Sequence, residues 1–181
     1  MKGLLIVSPN IEDVEALATK ALLVRAGLSV TTITFHATRE IITAFGTQIK
    51  ADMFGWNVRY DDYDFVVIPG GRYVHEIIEK DQDIQNCIKA FDKREKLVAA
   101  ICAAPRFLGR AGALNGRSYT AFPGSEIDVP KGIYLPSIKA VRDGHIITAR
   151  SAGAVYEFAY EIVTYLMGEE KGKALLTSIL F

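Results

Sequence analysis

What this chain has little of narrows its chemistry first. It holds only 2 cysteines, Cys87 and Cys102, too few for a disulfide framework or a structural zinc site, so each reads as a thiol in a reducing compartment. It has no excess charge: 21 Lys plus Arg balance 21 Asp plus Glu, and no global field gathers nucleic acid or an anionic membrane. It has no apolar run of bilayer length, and Met1 to Val7 is too short, and too soon followed by Ser8, Pro9 and acidic residues, to serve as a signal peptide. It shows no internal repeat and no low-complexity stretch. The expected location is cytoplasmic, with a small molecule or a protein as partner and neither nucleic acid nor membrane. At 181 residues and 50% hydrophobic composition the chain is long enough for one well-buried core, and one domain over residues 1–181 is expected.

The stretch LVAAICAAPR, Leu97 to Arg106, organises the rest. Five apolar residues from Leu97 to Ile101 suit a buried strand, Cys102 ends it, and Pro105 stands where a helix begins. A cysteine at such a turn projects from the carboxyl edge of a sheet, on strained backbone, toward the positive end of the following helix. That field favours thiolate, so Cys102 is expected to have a depressed pKa and to react faster than Cys87. The alternative is that Cys102 is one more small buried hydrophobe.

Around this turn the pattern alternates strand and helix. Lys2–Val7 reads as a buried strand, followed by a helix with Val14, Leu17, Ala18, Ala21 and Leu22 on one face and Gly27 at its end. Glu15, on the edge of that stripe, can turn inward toward the strand ends; desolvation there favours its neutral form, a hydrogen-bond donor to a sulfur anion. Ser29–Phe35 is a second strand, and the stretch through Ile49 suits a small antiparallel excursion. Phe65–Ile68 is a continuous apolar strand that stops at Pro69-Gly70-Gly71, a loop for close backbone approach whose Gly71 N–H can face an anion, or simply a tight turn. Ile84, Cys87, Ile88 and Phe91 recur at helical spacing, so Cys87 reads as packing. Asp143-Gly144 between Val141 and Ile146–Ala149 is a hairpin signal, with His145 expected to be exposed. A helix from about Val155 to Met167 closes the core, and the tail from Lys173 to Phe181 is expected to be a short apolar helix or cap. Continuous apolar strands alternating with helices predict an α/β fold, a mostly parallel sheet covered on both faces, with its site at the carboxyl ends of the strands. The segments after Val7, Ile68 and Ile101 bring Glu15, Gly71 and Cys102 to that edge.

Those segments, NIEDVEA, VVIPGG and AAICAAP, resemble the ThiJ/PfpI superfamily, in the branch of the Parkinson-disease-associated deglycase and its bacterial homologues. The similarity runs in order through RAG at Arg25–Gly27, YDFVVIPGG, ICAAP and the TARSAG to YEFA segment of Thr148–Ala159. It implies a flavodoxin-like, doubly wound fold with Cys102 on a nucleophile elbow and Glu15 hydrogen-bonded to it. It also implies that the Gly71 and Ala103 amides form an oxyanion or sulfinate pocket, with Gly70 beside it and Arg150 and Ser151 near it, at or across a dimer contact. The sequence departs from the pattern twice. Ala103 stands where the protease-like branch carries histidine, which disfavours peptidase activity, and Phe122 stands where deglycase-like members often carry one. Of His36, His75 and His145, His75 lies nearest in sequence to the glycine loop and is the weak candidate for a base.

Two readings of Cys102 result. It is either a redox-responsive thiolate that advances to sulfenic and sulfinic acid beside a protonated Glu15, or a nucleophile toward a small electrophilic carbonyl such as a 2-oxoaldehyde or its adduct. The absent histidine weakens the second more, because turnover needs proton traffic. Neither needs a metal or organic cofactor. A binding module with an inert Cys102 is the third possibility. The resemblance, with a mean hydropathy of +0.17, leads to the expectation of a homodimer.

Overall fold

A computed structural model describes residues 1–181. The elements run β1 (Lys2–Ile6), a π-turn (Val14–Ala18) leading into α1 (Thr19–Arg25), β2 (Ser29–Thr34), β3 (Glu40–Ile42), β4 (Gln48–Lys50), β5 (Met53–Phe54), β6 (Phe65–Ile68), α2 (Tyr73–Ile77) and α3 (Asp83–Asp92). There follow β7 (Leu97–Ile101), α4 (Pro105–Ala111), β8 (Ser118–Tyr119), β9 (Ile133–Tyr134), β10 (Ala140–Asp143), β11 (Ile146–Ala149), α5 (Val155–Met167) and α6 (Glu169–Ser178). Seven strands form one sheet in the order β10-β11-β7-β6-β1-β2-β5, parallel throughout except for β10 at one edge. Its five central strands, β2-β1-β6-β7-β11, follow the flavodoxin-like order, in which the chain reverses direction across the sheet between β1 and β6 and opens a crevice at their carboxyl ends.

Every residue of β6 and β7 is buried, which is why both read as unbroken apolar runs: helices cover the sheet on both faces. α1 packs on α5, and α3 packs on α4. The predicted stripes of α3 and α5 are the ones buried: Ile84, Cys87, Ile88 and Phe91 on the first, and Val155, Phe158, Ala159, Ile162 and Val163 on the second. β3 and β4 form the antiparallel excursion, pairing Glu40 with Lys50. β10 and β11 form the hairpin, with Asp143 opposite Ile146 and Gly144 at φ +62°.

Two expectations are corrected. His145 is buried at 9% exposure, because the hairpin tip lies against the end of α3, where Nε2 meets Asp92 Oδ1 at 2.8 Å. In the first helix, Val14 and Leu17 stand out at 49% and 38% exposure, while Glu15, Ala16, Thr19, Leu22 and Leu23 are buried. The reason is the π-turn, whose extra residue rotates the rest of the helix out of the 3.6-residue register that the stripe assumes.

Candidate functional site

The π-turn that spoils the apolar stripe is what delivers Glu15. Its side chain is 1% exposed and points under the carboxyl edge of the sheet, where Oε2 accepts the Gly70 N–H at 2.8 Å. The Ala152 N–H also faces this carboxylate. Its other oxygen, Oε1, is buried without a well-aligned hydrogen bond, and the group beside the carboxyl is Cys102. Burial, the first cause, with the nearby Glu12 carboxylate, raises the Glu15 pKa from 4.5 to about 7 against the opposing effects of Cys102, Gly70 and Ala152. A carboxyl in that range holds or gives a proton near neutrality.

Cys102 sits between β7 and α4 at φ +64°, a conformation that a side chain adopts only at a cost of roughly 1–2 kcal/mol. Its backbone is pinned on both sides: its N–H donates to Ala149 O at 2.9 Å, and its C=O accepts from Phe122 N–H at 2.8 Å. The Ala103 N–H serves no backbone carbonyl and is directed at the sulfur, the one influence there that favours thiolate. The expected low pKa is corrected. Burial first, then the Glu15 carboxylate, push the thiol above its ordinary value, and the positive end of a short α4 does not outweigh them. The two groups therefore titrate as a pair. Thiolate appears in the form in which Glu15 keeps its proton, which removes the repulsion and supplies a donor to the buried acceptors.

Gly70 of the loop Pro69-Gly70-Gly71 fits between these groups only because it lacks a side chain. A Cβ on Gly70 would lie 2.6 Å from Cys102 Cβ and 2.7 Å from Glu15 Oε2, so both partners crowd one point beside bare backbone. Gly71, at φ +122°, bridges to Ile11, and its N–H donates to no group of the protein. Tyr73, fully buried on α2, fixes this turn by donating its hydroxyl to Pro69 O at 2.7 Å. On the other side of the loop, Glu12, Ala44, Phe45, Gly71 and Arg72 line an open cavity of about 470 Å³, and Glu12 Oε2 accepts the Glu15 N–H at 2.6 Å.

The structure thus brings Glu15, Gly70, Cys102 and Ala103 together, with Gly71 next in the loop. Arg150 passes nearby through its backbone, since the preceding Ala149 carbonyl holds Cys102, but its guanidinium turns away to Pro136 O at 3.4 Å. Ser151 is extended, and it is the following Ala152 that faces Glu15. His75 belongs to α2 rather than to a loop; it is exposed, with Nδ1 2.6 Å from Arg106 Nη1. Nothing couples it to Cys102. Sequence reasoning missed Glu12, Tyr73 and Ala152. Glu12 and Ala152 stand inside motifs that draw the eye to their neighbours, whereas Tyr73 gives no signal of its own.

Comparison with known proteins finds relatives along nearly the whole chain. The DJ-1/PfpI family model matches residues 1–165. Protein dj-1beta of Drosophila melanogaster is 30% identical over 179 residues, covering 98% of this chain and 96% of that protein. A protein named Deglycase PYRAB04690 from Pyrococcus abyssi is 30% identical over 168 residues, covering 92% and 99%. Among solved structures, Drosophila melanogaster DJ-1beta superposes with a TM-score of 0.91 over 99% of this chain and 97% of its own. Its sequence identity is 30%. Toxoplasma gondii DJ-1, solved in an oxidized form, also reaches 0.91, over 99% and 98% at 27% identity.

Proposed function

This chain belongs to the DJ-1/PfpI family, and from that premise we propose that it is a cysteine-dependent stress-response protein whose Cys102 is a redox-sensitive nucleophile working with Glu15. The carrying observation is the buried Glu15 raised to about 7 beside a half-buried Cys102 on left-handed backbone. The Cys102 thiolate attacks one oxygen of a peroxide, the O–O bond breaks, and hydroxide leaves; a second peroxide converts the sulfenate to sulfinate with loss of water. The protonated Glu15 and the Ala103 and Gly71 amides are the donors suited to hold the new oxygens. No separate base is required, which suits a site with Phe122 where a histidine would serve. Consistent with this reading, a relative was solved oxidized.

The second reading is a deglycase or glyoxalase type of chemistry, favoured by the relatives named deglycases and by the open cavity beside Gly71. Here the thiolate adds to the aldehyde carbon of a 2-oxoaldehyde, the C=O electron pair moves to oxygen, and Glu15 gives that oxygen its proton. A metal or organic cofactor is needed by neither reading. Intact mass spectrometry after separate peroxide and methylglyoxal exposure tests both. The expected result is the added mass of two oxygen atoms on the wild type and none on Cys102→Ser, with methylglyoxal consumed slowly and faster by Phe122→His, since a positioned base contributes roughly 10²- to 10⁴-fold. Peroxide that oxidises Cys102→Ser equally would refute the first reading.

We also propose a homodimer in a reducing compartment such as the cytoplasm. Support comes from the apolar face of Val14, Leu17 and Val24, at 49%, 38% and 50% exposure, beside a groove formed with Tyr156, Leu180 and Phe181. No helix is long and apolar enough to cross a membrane. A monomeric mass in light scattering at micromolar concentration would overturn the dimer.

A further inference from the structure

Two phenylalanines at this site are exposed where burial would be the rule. Phe45, at 77% exposure, crowns the turn between β3 and β4, and Phe122, at 47%, follows β8. Neither is a loose surface residue. The Phe45 N–H donates to Asp13 Oδ2 at 3.1 Å, and Thr43 and Thr47 hydroxyls close on Asp13 Oδ1 at 2.6 Å. The neighbouring Ala44 is held at both backbone atoms, its N–H on Ile11 O and its carbonyl on Arg72 Nη2, each at 2.8 Å. Phe122 is fastened by its own N–H to the carbonyl of Cys102 itself. Two rings are thus fixed at their backbones to segments that also place Glu15 and Cys102, while their faces remain in water, an arrangement that leaves apolar surface uncompensated until something flat covers it.

The cavity that Phe45 shares with Glu12, Gly71 and Arg72 holds about 470 Å³ and begins one residue from the loop glycine wedged between Cys102 and Glu15. A three-carbon oxoaldehyde would leave most of it, and the Phe45 ring that lines it, to solvent. We propose that Phe45 and Phe122 are specificity residues that select electrophiles with a flat, apolar body on the carbonyl next to the reacting carbon, so that the substrate class is aryl-substituted 2-oxoaldehydes and related aryl ketones activated at the adjacent carbon rather than methylglyoxal. This rests on the reading of Cys102 as the nucleophile. It also gives the departure at Phe122 a purpose: the position that loses a base gains a stacking surface. Arg72, whose guanidinium is occupied by the Ala44 carbonyl, keeps the hairpin turn and its Phe45 in register with the loop.

The test uses two irreversible reagents that need no turnover, chloroacetone and phenacyl chloride. In each, the Cys102 sulfur forms a bond to the chlorine-bearing carbon and chloride leaves, and the rate of adduct formation is followed by intact mass. The phenacyl-to-acetone rate ratio is divided by the same ratio for free N-acetylcysteine. The wild type is expected to show an excess of about 10-fold or more, the discrimination a hydrophobic contact supplies. Phe122→Ala and Phe45→Ala should each bring the ratio down toward that of the free thiol, while Phe122→Tyr, which keeps the ring, should restore it. A wild-type ratio equal to that of the free thiol, or one that neither alanine variant changes, overturns the proposal and leaves Cys102 as the nucleophile. If neither reagent modifies Cys102, the reading of Cys102 as nucleophile falls, and the proposal with it.

Discussion

The two cysteines of this protein are both free and both have thiols pushed above their ordinary pKa by burial, yet their surroundings differ in every other respect. Cys87 is 0% exposed on the apolar face of α3, raised to about 12, with the Tyr60 hydroxyl as its polar neighbour. Cys102 is half-buried at the mouth of the sheet crevice, on backbone that its side chain strains to adopt, beside a carboxyl able to carry its proton. A raised thiol pKa therefore does not separate an inert cysteine from a reactive one. Access, and a neighbour that can take up the charge or the proton, do.

The largest consequence is in alkylation. Cys87 reacts only when α3 opens locally, so iodoacetamide should modify Cys102 faster by about 10³-fold, read by peptide mapping at early times. Comparable labelling would erase the distinction. The next is in stability. Glu15 binds its proton more tightly folded than unfolded, so its contribution is fully present below about pH 4.5 and is withdrawn as the pH rises through about 7. Glu15→Gln should therefore match the wild type at pH 4 and exceed it at pH 8 by about 3 kcal/mol in urea unfolding, the equivalent of the shift. Equal stability at both pH values would show that Glu15 is not desolvated. The smallest separates the cysteines by backbone. Cys102→Gly relieves left-handed strain and should stabilise the fold by about 1 kcal/mol. Cys87→Ala removes a packed sulfur and should cost about 1–2 kcal/mol. Opposite signs in thermal unfolding are the expected outcome.

Much of this fold is legible in the sequence. β6 and β7 can be read to the residue, because strands covered on both faces leave unbroken apolar runs, and Cys102 and Gly71 fall at their ends by topology alone. Glu15 is placed inward by the sequence, but through a helical stripe that does not exist; a π-turn has no period that apolar spacing reveals. His145 misleads because its partner, Asp92, lies 53 residues away on another element. The thiol pKa misleads because a motif shows which field a turn provides but not how much water it excludes, nor the charge of an acid brought in from the segment after β1.

The central claim is that Cys102 and Glu15 share a proton, and the pH dependence of Cys102 alkylation between pH 5 and 9 tests it most directly, in wild type and Glu15→Gln. In the wild type the reactive form keeps the proton on Glu15 and the charge on sulfur. The rate should climb with pH to about 7 and then level, because losing the pair's first proton leaves the fraction of that form fixed. Glu15→Gln has no proton to share and should rise tenfold per pH unit straight through 7 with no break. Two superimposable profiles, both climbing through pH 7 without a plateau, would contradict the account.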